Sequence, residues 1–344
     1  MSIAASSEPL LIIDELKSAA FCNKISPSIS GNDMKAYLVT GGAGFIGSHL
    51  AEELVHRGHR VRVLDNFLTG KRDNLETFGD KIELLEGDIR DLETCKKAAQ
   101  GMDFVLHQAA LPSVPRSIEN PILTNEINAG GTLNILWAAL SAKVKRLVYA
   151  SSSSVYGDNT ELPKREDMRC MPISPYGISK LVGEQYCQIF DRLYGLPTVR
   201  LRYFNVFGPR QDPLSQYAAV IPHFITMTIR GEPPTIFGDG EQSRDFTFVA
   251  NVVEANILGA EAAGVSGEVF NIACGQRITV NRLVHRIREA LGSKVNPRYS
   301  DPRPGEISHS YADIAKAEQL LNYRASYPLD DGLQKTVAWY KERF

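Results

Sequence analysis

The chain has 344 residues, 43% of them hydrophobic and 23% charged, with a formal net charge of −2. That length can bury a full core in one large or two unequal domains, and the charge balance gives no reason to expect nucleic acid or an anionic membrane as a partner. Cys22, Cys95, Cys170, Cys187 and Cys274 are scattered without a CxxC pair and read as reduced cytosolic thiols, not as a disulfide framework or a metal site. No apolar run reaches the length of a membrane span.

Residues 1–33 stand apart as an N-terminal extension, expected to be a short capping helix or an extended start without chemistry of its own, followed by a Pro/Gly/Ser linker over Ser26 to Asn32. Ala36 to Thr40 is an apolar run that ends in Gly41-Gly-Ala-Gly44-Phe-Ile-Gly47. Helical spacing of Ile46, Leu50 and Leu54 follows, up to Gly58. Strand, glycine turn and helix in that order are the setting of a dinucleotide fingerprint: Gly41 for the tight turn, Gly44 for close approach of a pyrophosphate, Gly47 for packing of helix on strand. The helix N-terminus then faces the phosphates. The next strand, Arg60 to Leu64, ends in Asp65, 18 residues beyond Gly47. An acid there accepts hydrogen bonds from ribose hydroxyls and repels a 2′-phosphate, which favours NAD over NADP.

Further units follow at similar spacing. Ile82 to Leu85 reads as a strand, with Asp88 at its carboxyl end, placed either to meet the adenine or to cap the helix over Asp91 to Ala99. Phe104 to Gln108 is the fourth strand. Pro121 opens a long helix to about Leu140, Arg146 to Ala150 is the fifth strand, and Thr198 to Arg202 the sixth. Repeated strand–helix units predict an α/β fold, a Rossmann-type doubly wound parallel sheet with ligands at the carboxyl ends of its strands. The fifth strand runs into Ser151-Ser-Ser-Ser154, and a helix over Tyr176 to Tyr194 follows.

That helix carries Tyr176 and Lys180 on one face. With 13 Tyr and 38 Lys+Arg, such a spacing arises by chance about once in a chain of this size. Tyr299 and Arg303 share it, with Pro302 between them to oppose a helix. An ammonium beside a phenol favours the phenolate and makes a proton acceptor, and the neighbouring glycine turn and serine run give the pair a reason to be there.

Beyond residue 205 the segments shorten and Pro and Gly become more frequent, which predicts a smaller α+β lobe closing over the sheet. Short strands are expected at Thr235 to Gly240 and Asp245 to Val249, and helices over Asn251 to Ala263, Arg282 to Leu291 (capped by Thr279) and Ile314 to Leu321 (capped by Asp313). Val269 to Ala273 is placed to return to the main sheet. Domain limits are thus 34–204 for the nucleotide-binding part, with returning segments, and 205–344 for the lobe. Arg210, Arg244 and Arg303 lie in turn-rich segments of that lobe, with Arg244 and Arg303 candidates to hold a diphosphate.

With these residues in place, the chain from about Met34 onward resembles the extended short-chain dehydrogenase/reductase family, and within it the nucleotide-sugar 4-epimerases. The marks are Thr40 to Gly47, Asp65-Asn66, Gly87-Asp88, Ser151 to Gly157, Tyr176-Gly-Ile-Ser-Lys180 and Leu201-Arg-Tyr-Phe-Asn205. The resemblance implies NAD as cofactor, contacted by Gly41, Gly44, Phe45, Ile46, Gly47, Asp65, Asn66, Asp88, Ile89, Gln108, Ala109, Tyr176, Lys180 and Phe204. It implies Tyr176 as the base at the sugar 4-hydroxyl, Lys180 on the nicotinamide ribose and, with the positive nicotinamide ring, lowering the tyrosine pKa, and Ser152 bonding the 4-oxygen. It also implies a UDP site lined by Asn205, Ala219, Val220 and Arg244, a cytoplasmic location, and a homodimer through the Tyr–Lys helix and its neighbour. Many members carry Lys where Pro112 stands.

Two positions discriminate among relatives. The related 4,6-dehydratases carry Asp-Glu where this chain has Ser153-Ser154, so elimination of water is not expected. Ser310 matches the family's gatekeeper, and with Ser113 and Ser153 it implies a roomy, polar pocket. The expectation is therefore a UDP-GlcNAc/UDP-GalNAc 4-epimerase that also takes UDP-Glc/UDP-Gal. The alternatives are a UDP-glucuronate 4-epimerase or decarboxylase, and a non-catalytic NAD-binding regulator.

Overall fold

The structure is a computed structural model that describes residues 34–213, 220–302 and 308–344. Ala36–Thr40 (β1), Arg60–Asp65 (β2), Ile82–Glu86 (β3), Phe104–His107 (β4), Arg146–Ser152 (β5), Thr198–Tyr203 (β6) and Val269–Ile272 (β7) form one sheet. Its order is β7-β6-β5-β4-β1-β2-β3, parallel throughout. Every residue of β1, β4 and β6 is buried, as expected when helices cover both faces of a parallel sheet. The order reverses between β1 and β4, and a cleft opens there at the strands' carboxyl ends.

The covering helices are Phe45–His56 (α1), Leu92–Ala99 (α2), Gly131–Ser141 (α3), Pro175–Tyr194 (α4) and Val249–Glu261 (α5). Leu50 and Leu54 of α1 pack with Val252 and Ile257 of α5 against Val39, Val63 and Val148. On the opposite face Ala98, Ile135, Leu136, Cys187 and Phe190 pack against Leu38, Val105 and Leu147. The late segments α5 and β7 thus complete the first sheet.

The expected long helix from Pro121 is interrupted. Pro121–Asn125 is α-helical, Glu126–Gly130 is a π turn, and α3 follows. Asn128 lies buried in that turn: its carboxamide accepts from Leu111 N at 2.7 Å and donates to Leu111 O at 3.2 Å and Ser179 Oγ at 3.0 Å. The widened turn thereby ties the segment entering the cleft to α4.

In the second lobe Phe207, Phe224, Phe246 and Phe248 pack with Leu283, Val284, Leu333 and Val337. The expected strand at Asp245 to Val249 is split into Ser243–Arg244 and Thr247–Phe248. Asp245 sits between them, fully buried, its carboxylate accepting from the N–H groups of Cys274 at 2.9 Å and Gln276 at 3.2 Å. Ser243–Arg244 pairs with Ile278–Thr279 on one side and His309–Ser310 on the other. Thr279 caps the helix Val280–Leu291 through Arg282 N, and Asp313 accepts from Ala315 N at 2.9 Å. Among the described residues no helix is long and apolar enough to cross a membrane.

Candidate active site

A cleft of about 680 Å³ lies over the carboxyl ends of the central strands. Gly41, Gly44, Phe45, Ile46, Gly47, Asp65 and Asn66 are among its lining residues, with Asp88, Ile89, Gln108, Ala109, Ser113, Tyr176 and Lys180. Gly41 has φ +67°, and a Cβ on Gly47 would stand 2.1 Å from Gly41 O, so the turn closes only with glycine at both positions. Gly44 begins α1 with no side-chain cap, whereas Asp91 caps α2 and Ser174 caps α4. The first N–H groups of α1 are therefore left to whatever occupies the cleft.

Asp65 is buried, with Oδ2 accepting from Ala43 N at 2.9 Å and Oδ1 from Phe67 N at 2.8 Å. Burial raises its pKa while those bonds pull it down. Those bonds do not exhaust the four lone pairs of the carboxylate, which leaves acceptor capacity for a ribose hydroxyl. Asp88 does not cap α2. It is paired with Arg90 at 2.7 Å and accepts from Asn66 at 2.8 Å, and chiefly through Arg90 its carboxyl is lowered to about 2.

Tyr176 and Lys180 leave α4 toward the end of β5. Lys180 Nζ donates to Ala150 O at 2.8 Å and lies 6.0 Å from the Tyr176 ring centre. Burial lowers the Lys180 ammonium to about 8. Burial also raises the Tyr176 phenol, and its hydrogen bond with Ser152 works in the opposite direction. Desolvation penalises the charged form of each group. Ser152 itself accepts from Ser154 N at 3.1 Å, and Ser153 stands half-buried beside it. Ser151 donates to the buried Glu184 of α4, whose two oxygens take Arg202 Nε at 2.8 Å and Nη2 at 2.7 Å.

A second pocket of about 280 Å³ lies in the smaller lobe, lined by Asn205, Val220 and Arg244 as expected residues of a nucleotide site. Its walls also include Phe207, Phe224, Phe237, Phe246, Gln242 and Val280, so that five separate segments contribute. Ser310 is half-buried and stands opposite Arg244 in the parallel ladder. Ala219 and Arg303 lie outside the described residues.

Phe204 does not line the cleft. Its side chain is fully buried with Val155 and Tyr156, and Tyr203 faces the cleft in its place. Val199, Leu201 and Tyr203 share one face of β6, and Phe204 follows the strand's end. Lys71, Asn74, Arg116, Gln211 and Asp212 also line the cleft; they come from loops and short helices, and only their meeting in space gives them away.

A parallel sheet with an uncapped glycine turn at its switch point and a Tyr–Lys helix alongside defines a dinucleotide-dependent enzyme of the extended short-chain dehydrogenase/reductase type. Residues 37–273 match the NAD dependent epimerase/dehydratase family, and the chain belongs to it. It is 36% identical over 310 residues to a UDP-glucose 4-epimerase of Mycolicibacterium smegmatis, covering 89% of this chain and 98% of that protein. A UDP-N-acetyl-alpha-D-glucosaminuronate decarboxylase of Bacillus cytotoxicus is 35% identical over 319 residues, covering 90% and 98%. The structure of the UDP-N-acetylglucosamine 4-epimerase from Methanobrevibacter ruminantium M1, in complex with UDP-N-acetylmuramic acid, superposes with a TM-score of 0.84 at 40% identity, covering 91% of this chain and 100% of that one. NAD is the cofactor, and the glycine turn, the free end of α1 and the spare lone pairs of Asp65 fit it.

Proposed function

We propose that this chain is a UDP-sugar 4-epimerase whose substrates include the UDP-GlcNAc/UDP-GalNAc pair and extend to UDP-Glc/UDP-Gal. The observation that carries the reading is Tyr176 and Lys180 in the wall of the dinucleotide cleft, with Ser152 hydrogen-bonded to Tyr176 and an aromatic-walled pocket containing Arg244 in the adjoining lobe. The pocket suits a flat base, and Arg244 a diphosphate. When bound, NAD supplies the acceptor and donor for the C4 hydride. Tyr176 takes the proton of the 4-hydroxyl and returns it, Ser152 bonds the 4-oxygen, and Lys180 holds positive charge beside the phenol. The 4-keto sugar turns over between the two halves of the reaction. Ser153 and Ser154 bring no acid for elimination of water.

The N-acetyl preference rests on Ser310, small and adjacent to Arg244. A second reading, action on a UDP-uronic acid, is favoured by the decarboxylase relative and by Arg116 in the cleft wall, a cation for a C6 carboxylate. Incubation with UDP-GlcNAc and with UDP-glucuronate separates the two: a 4-epimer of the first supports the main reading, and carbon dioxide or turnover of the second alone supports the other. We also propose a cytoplasmic homodimer. Ile118, Ile122, Ile178 and Leu193 are each more than half exposed on α4 and the helices before it, which supports pairing through that face.

A further inference from the structure

Between the aromatic pocket and the dinucleotide cleft the chain makes one short crossing. Asn205 and Phe207 line the pocket, and Arg210, Gln211 and Asp212 line the cleft. This crossing is fastened at four places. His49 Nε2 of α1 bonds Pro209 O at 3.0 Å. Burial lowers the His49 imidazole to about 4, so at neutral pH it is an uncharged donor. Arg210 pairs with Glu52 of α1 at 2.7 Å, Asp212 with Lys71 at 3.4 Å, and the Tyr340 hydroxyl donates to Gln211 O.

Arg210 is itself unusual. Its φ is +65°, a left-handed conformation unfavourable for a non-glycine residue, so contacts and not local preference hold it there. After Nη2 is taken by Glu52, Nη1 remains buried without a hydrogen-bond partner, and so does Oε1 of the adjacent Gln211. Orphaned buried polar atoms are rare because each forfeits its hydration. Two of them side by side in a cleft wall mark a place where a polar ligand completes the structure.

We propose that residues 209–212 are a clasp that retains the dinucleotide, with Arg210 its polar contact to the cofactor and Glu52 the residue that positions Arg210. The orphaned guanidinium nitrogen donates to an oxygen of the bound cofactor, and Gln211 accepts from one of its hydroxyl or amide groups. Lys71 and Asp212 close the mouth from opposite sides. The clasp depends on the dinucleotide alone and stands whichever sugar the enzyme takes.

The test is the rate at which holoenzyme loaded with radiolabelled NAD loses its label to a chase of unlabelled NAD. Arg210→Gly, which suits the left-handed backbone, is expected to speed release by about ten-fold or more. Glu52→Gln speeds it by less, and the double variant is no faster than Arg210→Gly. Lys71→Ala, at an exposed position that leaves the core intact, also speeds release and keeps the test open if the buried variants fold poorly. Arg57→Gln breaks the ion pairs at the far end of α1 and leaves release unchanged. Release from both Arg210→Gly and Lys71→Ala within about two-fold of the parent, or an equal acceleration by Arg57→Gln, overturns the proposal.

Discussion

Glu184 offers the sharpest test of how the catalytic helix is held. Its side chain is 1% exposed and that of Arg202 is 5% exposed, and they meet in two bonds of 2.8 and 2.7 Å. Glu184→Leu leaves the guanidinium buried with uncharged partners in its immediate contact, Glu166 O at 3.4 Å, Cys170 Sγ at 3.2 Å and the Tyr156 ring centre at 4.8 Å. Removing one partner from such a pair costs about 3–5 kcal/mol, because an uncompensated charge stays in the interior. The Coulombic gain of the intact pair is largely offset by desolvation, so Glu184→Leu combined with Arg202→Met is expected to be more stable than Glu184→Leu alone. Urea unfolding followed by Trp fluorescence, with NAD saturating in every sample, gives the free energies. With an m-value of about 3 kcal/mol/M, the single variant should lose about 1 M in its midpoint. A loss under about 1 kcal/mol, or a double variant as unstable as the two singles summed, refutes the reasoning.

Three further outcomes follow from the site. Tyr176→Phe should lower kcat by about 10²–10⁴ while NAD stays bound; a parallel loss of NAD would show that the phenol serves cofactor binding instead. Asp245 is raised to about 6 by burial, against the backbone bonds that lower it. Its contribution to stability is fully present below the unfolded value of 3.8 and is lost as pH rises through about 6, so Asp245→Asn should flatten the slope of stability between those limits. An unchanged slope contradicts this. Ser310→Tyr should reduce turnover of the N-acetylated pair by at least about ten-fold more than that of the plain hexoses, and equal losses remove Ser310 from the specificity argument.

The parts of the fold that were legible are those set by period and punctuation. Apolar runs ending in Gly41, Asp65 and Asp88 gave the strands, and the helix of Tyr176 was placed within a residue at its start. The π turn at Glu126–Gly130 was hidden because a single widened turn carries no residue signature of its own. Tyr203 lines the cleft and the Phe204 side chain is buried away from it, a difference set by where β6 ends. The Tyr176–Lys180 spacing was visible, but the burial that opposes both charges was not. Spacing reports direction, and only packing reports dielectric. The aromatic pocket was invisible for a related reason: its five contributing segments have no shared local signal.

The most direct measurement is incubation of the purified protein with UDP-GlcNAc and no added NAD, followed by analysis of the sugar. The account predicts UDP-GalNAc, accumulating to equilibrium with no second redox substrate. Protein that carries NAD yet converts no UDP-sugar to its 4-epimer contradicts it.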